Sequence, residues 1–159
     1  MVRTRGFTLI ELVVTLALVS VVALTALPLY EVTATRMKEV ELRNALRVIR
    51  TALDAYKTAV DAGQISRSAL ESGYPPSLET LVNGVENTQA SAGGPARLVF
   101  LRNVPLDPFA TDAALPPAQQ WVTRSYGSPP DDPQSGPDVF DIASSSARVG
   151  SNGLPYRQW

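Results

Sequence analysis

The sequence predicts an α+β fold, in which one long N-terminal α-helix packs against a small antiparallel β-sheet. Three observations support this fold class. An uncharged apolar run near the N-terminus is followed by a segment with helical periodicity, and short segments of strand composition occur only after that segment. Nearly all of the 13 prolines lie beyond residue 74. The first part of the chain can therefore form a nearly uninterrupted helix.

The apolar run covers residues 12–30 and carries no formal charge. A helix over residues 7–30 would be roughly 36 Å long at about 1.5 Å per residue, which exceeds the hydrocarbon thickness of about 30 Å. We therefore expect residues 7–30 to span a membrane. A cleaved secretory signal peptide is the alternative, but the run is long for one and its far end, residues 27–30, offers no small-x-small cleavage site.

Two residues in this helix call for explanation. Glu11 lies near the start of the apolar run, and an ionised carboxylate is costly in a membrane, so it marks a candidate functional residue. Pro28 removes a backbone donor and crowds the preceding turn, which predicts a kink or local melting of the helix. The alternative is a transmembrane proline that the helix tolerates.

The same helix is predicted to continue as an amphipathic segment over residues 31–62. This segment contains no Gly or Pro, and Gly63 is a plausible stop. Its apolar residues recur at steps of three and four: Leu42, Leu46, Ile49, Leu53, Tyr56 and Val60. Such a stripe forms either a coiled-coil seam or the buried face of a helix on a sheet. It covers fewer than the three or four heptads typical of a coiled coil, which favours the buried face.

The remaining residues, 63–159, predict a small globular head. Residues 77–82 have helical composition, with Ser77 as a candidate N-cap. Three segments have strand composition, namely residues 97–102, 120–126 and 139–143. Pro and Gly elsewhere indicate loops.

Composition excludes several functions. The chain has no Cys and no His, so it cannot form a Cys/His zinc site, a cysteine nucleophile or a Ser-His-Asp triad. A net charge of −1 gives no basic surface of the kind that binds nucleic acid. We find no other polar constellation with catalytic character and expect no enzyme.

The segment RGFTLIELVV, residues 5–14, resembles the processing site of type IV pilins and of the pseudopilins of type II secretion systems. The resemblance implies that residues 1–6 form a cytoplasmic leader and that a prepilin peptidase cuts between Gly6 and Phe7. It also implies that the new N-terminal Phe7 is N-methylated. Glu11 would then be an assembly residue, paired with the amine of Phe7 in its own chain or in a neighbour, and the fold would be pilin-like with Pro28 near the end of the membrane span.

Three further segments resemble the major pseudopilin of type II secretion: residues 73–75 (GYP), 101–110 (LRNVPLDPFA) and 125–127 (SYG). This resemblance implies a structural subunit of a secretion pseudopilus, which drives protein export through the periplasm. Its partners would be further copies of itself, the prepilin peptidase, an inner-membrane assembly platform and minor pseudopilins. Its C-terminal domain would lie in the periplasm. The alternative is a major or minor type IV pilus subunit for adhesion, motility or DNA uptake.

The pseudopilin resemblance also implies a Ca²⁺ site in the C-terminal loop. Four acids are available there: Asp131, Asp132, Asp138 and Asp141. Hard carboxylate oxygens suit Ca²⁺. The alternative is that these aspartates are ordinary turn formers on a surface loop.

Overall fold

The computed structural model describes residues 6–69, 71–90 and 95–159. The chain forms two compact units, residues 1–37 and 38–159, and each is described by itself. Helix α1 begins at Leu9 and ends at Asp61, so its last part belongs to the second unit. The helical assignment continues through Pro28, and the kink expected there stays a prediction.

Gly63 ends helix α1, as the sequence predicts. Its φ of 72° lies in the left-handed region, which favours glycine. The amide of Gly63 donates to the carbonyl of Val60, and the amide of Gln64 donates to the carbonyl of Ala59, each at 2.9 Å. These two bonds form a Schellman motif, which satisfies carbonyls that the end of the helix would otherwise leave without donors.

The apolar stripe of α1 is the buried face of the helix in the second unit. All six stripe residues are less than 9% exposed. They form one core with residues of the head that include Leu78, Leu81, Trp121, Ile142 and Tyr156. The structure thus agrees with a helix that packs on the head, and the burial of this face stabilises the unit.

Within the described residues, four short strands form two separate antiparallel sheets. Helix α2 (Leu78–Asn83) is followed by β1 (Val85–Glu86) and β2 (Arg97–Leu98), which pair with each other. Strand β3 (Trp121–Arg124) pairs with β4 (Asp141–Ser144) over four residues. Single 3₁₀ turns lie at Pro117–Gln120 and Tyr156–Gln158. Ser77 is the N-cap of α2 by position, although its side chain makes no capping hydrogen bond.

The strands differ in detail from the sequence prediction. Each of the three predicted segments overlaps a strand, but the strand in the first is only two residues long and pairs with β1, which the sequence did not predict. The amides of Phe100 and Leu101 both donate to the carbonyl of Leu81 in α2 instead of to a strand. Prolines at 105 and 108 then remove further ladder donors. The expected single sheet is therefore divided into two.

Two side chains of α1 hold the end of the chain in the second unit. The carboxylate of Glu39, only 3% exposed, accepts hydrogen bonds from the amide and hydroxyl of Ser151 and from the hydroxyl of Tyr156. Arg50 donates from Nε to Oδ1 of Asp141 at 2.8 Å, and from Nη2 to the carbonyls of Ile142 and Trp159. Together these contacts fix residues 141–159 against α1.

Candidate functional site

The start of helix α1 is a capping box formed by Thr8 and Glu11. The hydroxyl of Thr8 accepts a hydrogen bond from the amide of Glu11 at 3.3 Å. In return, the amide of Thr8 points at Oε2 of Glu11 at 3.5 Å, which is the outer limit of a hydrogen bond. The arrangement satisfies donors that every helix start leaves open. The T-x-x-E spacing of residues 8–11 is the sequence signal of a capping box, although it was not among the predicted features.

Gly6 and Phe7 precede the helix and are both exposed. Phe7 is 77% exposed. A Cβ built on Gly6 meets nothing within 4 Å among the described residues, and Gly6 does not have a positive φ. The fold itself therefore does not require glycine at this position. This agrees with a requirement imposed from outside the fold, such as recognition by a processing enzyme.

The helix that follows exposes its apolar side chains on every side. Each described residue from Leu9 to Leu24 is exposed, as are Leu29 and Tyr30. Within the part of the chain that the structure describes, α1 is the helix long and apolar enough to cross a membrane. A helix that is apolar all round needs an apolar environment, which a bilayer or a bundle of such helices supplies. The apolar helix thus fits anchoring in the inner membrane.

Hydroxyl groups in this segment are compatible with that environment. Thr15 donates to the carbonyl of Leu12, and Ser20 donates to the carbonyl of Leu16. Hydroxyls satisfied within their own helix do not need a partner from water. The carboxylate of Glu11 differs from these hydroxyls, because it is charged and forms no ion pair with any described residue.

The four aspartates of the predicted calcium site lie in different surroundings. Asp138 is 9% exposed, and its Oδ1 accepts hydrogen bonds from the Ser125 hydroxyl and, at 3.0 Å, from the Tyr126 amide. Burial raises the pKa of Asp138, but the bonds from Ser125, Ser72 and Tyr126 outweigh burial and leave that pKa below its usual value of 3.8. Asp138 is therefore held ionised by neutral donors.

The other three aspartates do not join it in one cluster. Asp141 is engaged by Arg50, while Asp131 and Asp132 are exposed. Oδ1 of Asp132 accepts a hydrogen bond from Gln134 at 2.8 Å. Among the described residues, no group of three or more acidic side chains is placed to hold a metal ion. The present arrangement does not assemble the ligand set, and calcium binding stays a prediction.

Asp107, a buried acid that was not among the predicted site residues, fixes the backbone of the segment LRNVPLDPFA. Oδ1 of Asp107 accepts from the amide of Phe109 at 2.9 Å, and Oδ2 accepts from the hydroxyl of Ser144 at 2.7 Å. Its amide donates to the side chain of Gln120. Asp107 thus fixes a turn that places Phe109 in the core, where its ring stacks on Tyr156 with centroids 4.0 Å apart. The aspartate of this segment is structural in this fold.

The structure of the chain is consistent with a pilin-like α+β fold. Its long helix begins at a processing motif, exposes an apolar stretch and then packs with its amphipathic half on a small head. In agreement with this, residues 1–27 match the family model described as the prokaryotic N-terminal methylation motif. This motif is the signature of type IV pilin-like and pseudopilin proteins.

The match covers the N-terminal segment alone, and it does not distinguish a pseudopilus from a type IV pilus. The motif implies processing by a prepilin peptidase and assembly into pilus-like filaments. No curated protein and no solved structure is significantly similar to this chain.

Proposed function

We propose that this protein is a structural subunit of a type II secretion pseudopilus, assembled from the inner membrane to drive protein export. The observation that carries the subunit role is the methylation motif over residues 1–27, followed by an exposed apolar helix with a single acid, Glu11. The subunit has no enzymatic role in this proposal. Its head lies in the periplasm, and its partners are the assembly platform, minor pseudopilins and further copies of itself.

Assembly follows from the chemistry that cleavage creates. Cutting after Gly6 turns the amide of Phe7 into a cationic amine, one helical turn before Glu11. Opposite charges attract strongly where water is scarce. The amine of one subunit then pairs with Glu11 of its own helix or of a neighbour, and pairing between neighbours sets the register of a helix bundle.

The secretion system is favoured over a type IV pilus by the head. Three segments resemble the major pseudopilin, and one of them, LRNVPLDPFA, forms a buried turn through Asp107. The chain also lacks the cysteines with which type IV pilins commonly close their C-terminal region. These features support the secretion assignment.

The experiment is an in-frame deletion in the source bacterium, complemented with the wild-type gene. Export of secreted proteins and twitching motility are scored in the same strains. Loss of export with normal motility is the expected result. Loss of motility with normal export would assign the subunit to a type IV pilus instead.

A further inference from the structure

Two grooves of opposite character flank the part of helix α1 that packs on the head. One has a volume of about 730 Å³, and apolar side chains that include Val48 and Leu106 line it. Glu41 and Glu79 also line this groove, and none of its described lining residues is Lys or Arg. We call it the acidic groove. Val48 is 46% exposed and Leu106 is 57% exposed, so its apolar lining is accessible.

The second groove, called the basic groove here, has a volume of about 500 Å³. Arg43, Arg47 and Arg50 line it together with Leu154 and Trp159, and Asp54 is its one acid. Arg50 is already paired with Asp141, and the guanidinium of Arg43 lies 4.5 Å from the centre of a Trp159 ring. Arg47 projects from between them and is exposed.

The two grooves lie on opposite flanks of the same helix. Glu41 and Arg43 are two positions apart, which places them about 200° apart around the helix axis at 3.6 residues per turn. Leu42 lies between them and is fully buried against the head. A single molecule therefore cannot bring its acidic groove into contact with its own basic groove.

Three charged side chains that line the two grooves have no partner in the part of the chain that the structure describes. None of the described residues forms a hydrogen bond or an ion pair with the side chains of Glu41, Glu79 or Arg47. An apolar groove edged with unpaired acids fits a partner that brings arginines and apolar side chains together. The basic groove of another copy offers that combination, because Arg47 and Leu154 both line it.

We propose that the acidic groove of one subunit receives the exposed side chains of Arg47 and Leu154, which line the basic groove, from the next copy of this chain. Because the two surfaces differ, the contact is heterologous, and it repeats head to tail into an open filament unless it closes into a ring. This inference rests on the proposed filament function and assigns the surfaces that the heads use. Glu41 meets Arg47 of the neighbour, and Leu106 meets Leu154.

The absence of cysteine in the chain makes disulfide cross-linking a direct test. The full-length protein carries Leu106→Cys and Leu154→Cys together, and membranes and filaments are oxidised mildly. We expect a ladder of dimers, trimers and larger species. Either substitution alone should give no ladder, because the residue opposite the new cysteine in the neighbouring copy then carries no thiol. A matched control pairs Leu154→Cys with Val122→Cys, an exposed apolar position in β3 outside both grooves.

Charge reversal supplies the second measurement in the double-cysteine chain. Glu41→Arg or Arg47→Glu alone should reduce the ladder by at least about fivefold, because like charges then meet across the contact. The two reversals together should restore it to within about twofold. Neither side chain has a hydrogen-bond or ion-pair partner among the described residues, so neither reversal breaks such a contact there.

The outcomes separate this proposal from the filament function. Filaments visible by electron microscopy without the ladder would show that the heads meet through other surfaces, while the subunit role stands. A ladder of equal intensity in the control with Val122→Cys would also overturn the proposed contact. So would charge reversals that leave the ladder unchanged. A chain that forms neither filaments nor a ladder, and that mass spectrometry shows to retain its leader, would overturn both the filament function and the proposed contact.

Discussion

The hydroxyl of Tyr156 donates a hydrogen bond to the carboxylate of Glu39 at 3.1 Å, although 117 positions separate the two residues in the sequence. Ser151 supplies two more donors to the same carboxylate. Burial raises the pKa of Glu39, but the donors from Ser151 and Tyr156, with Arg43 nearby, outweigh it and leave the pKa below its usual value of 4.5. The folded protein therefore favours the ionised form of this buried acid.

This pKa predicts that the protein loses stability in acid. A group whose pKa is lowered by folding contributes stability that is complete above its unfolded value, here 4.5, and that is lost as the pH falls through the folded value. Asp138, whose pKa is also lowered, acts in the same direction. We expect the melting temperature of the full chain in detergent to decrease as the pH is lowered below 4.5. The fall should be smaller in Glu39→Gln, and an unchanged pH profile in that variant would contradict the assignment.

Arg50 should contribute measurably to stability because its guanidinium bonds to the Asp141 carboxylate and two carbonyls. Arg50→Ala should lower the free energy of unfolding by about 1–3 kcal/mol, since charged hydrogen bonds are lost and acceptors remain unpaired. Arg50→Lys should restore only part of this, because an ammonium cannot reproduce the planar fork. Chemical denaturation in detergent measures both. Arg47→Ala, an exposed arginine one turn earlier, is the control, and equal losses at both positions would argue against this role.

If a prepilin peptidase cuts the chain between Gly6 and Phe7, the mature protein should begin at an N-methylated Phe7. Gly6→Val should leave the leader attached, because a branched side chain fits poorly in a cramped protease cleft. The described fold has room for the substitution, since a Cβ on Gly6 meets nothing within 4 Å. Intact mass distinguishes the two forms. Gly127→Val is a matched control, because a Cβ there also meets nothing, and it should be cut normally. A mature N-terminus beyond residue 27 would instead indicate an ordinary signal peptide.

Glu11 is predicted to act in assembly through its charge. Glu11→Gln keeps a side chain that can complete the capping box with Thr8 but removes the partner of the Phe7 amine. Insertion and cleavage should persist, because a less polar span enters the membrane more easily, while filament yield should fall. The same loss is expected in Glu11→Ala. Thr8→Ser keeps the capping hydroxyl and the charge, so its filament yield should match the wild type. Full assembly of Glu11→Gln would exclude the charge pairing.

Calcium binding is testable by the melting temperature in EGTA, CaCl₂ and MgCl₂. A bound ion at a hundredfold excess over its Kd adds about 2.7 kcal/mol of stability, so a rise in CaCl₂ alone is expected. Asp141 is a poor residue to mutate for this purpose, because its loss also breaks the Arg50 ion pair. Asp131→Asn with Asp132→Asn changes only exposed acids and should abolish the rise. Equal melting temperatures in all three solutions would contradict a calcium site.

Helix α1 and its buried face were predictable because local periodicity determines both. The steps of three and four between Leu42 and Val60 select one helix face, and all six residues are buried. Gly63 was predictable for a similar reason, since the end of a helix favours a residue that tolerates positive φ. In each case the signal lies within a few positions of the residue concerned.

Contacts between distant residues were not predictable in the same way. Glu39 falls among the charged residues of an amphipathic helix, and only Ser151 and Tyr156, over a hundred positions away, make it a buried acid. Strand β1 has just two residues, too few to show an alternating pattern. The four aspartates near the C-terminal loop are close in sequence. Asp141, in β4, nevertheless accepts a hydrogen bond from Arg50, whereas Asp138 accepts one from Ser125.

The bonds from α1 to residues 151–159 also have a consequence for biosynthesis. Glu39 and Arg50 emerge from the ribosome long before Ser151, Tyr156 and Trp159. The apolar stripe of α1 is therefore synthesised well before the residues that complete its packing. Closing contacts over more than a hundred residues is slow compared with forming a helix. The newly made subunit must therefore pass through an interval in which its anchor is complete and its head is still open, and in that interval proteases and chaperones have access to it.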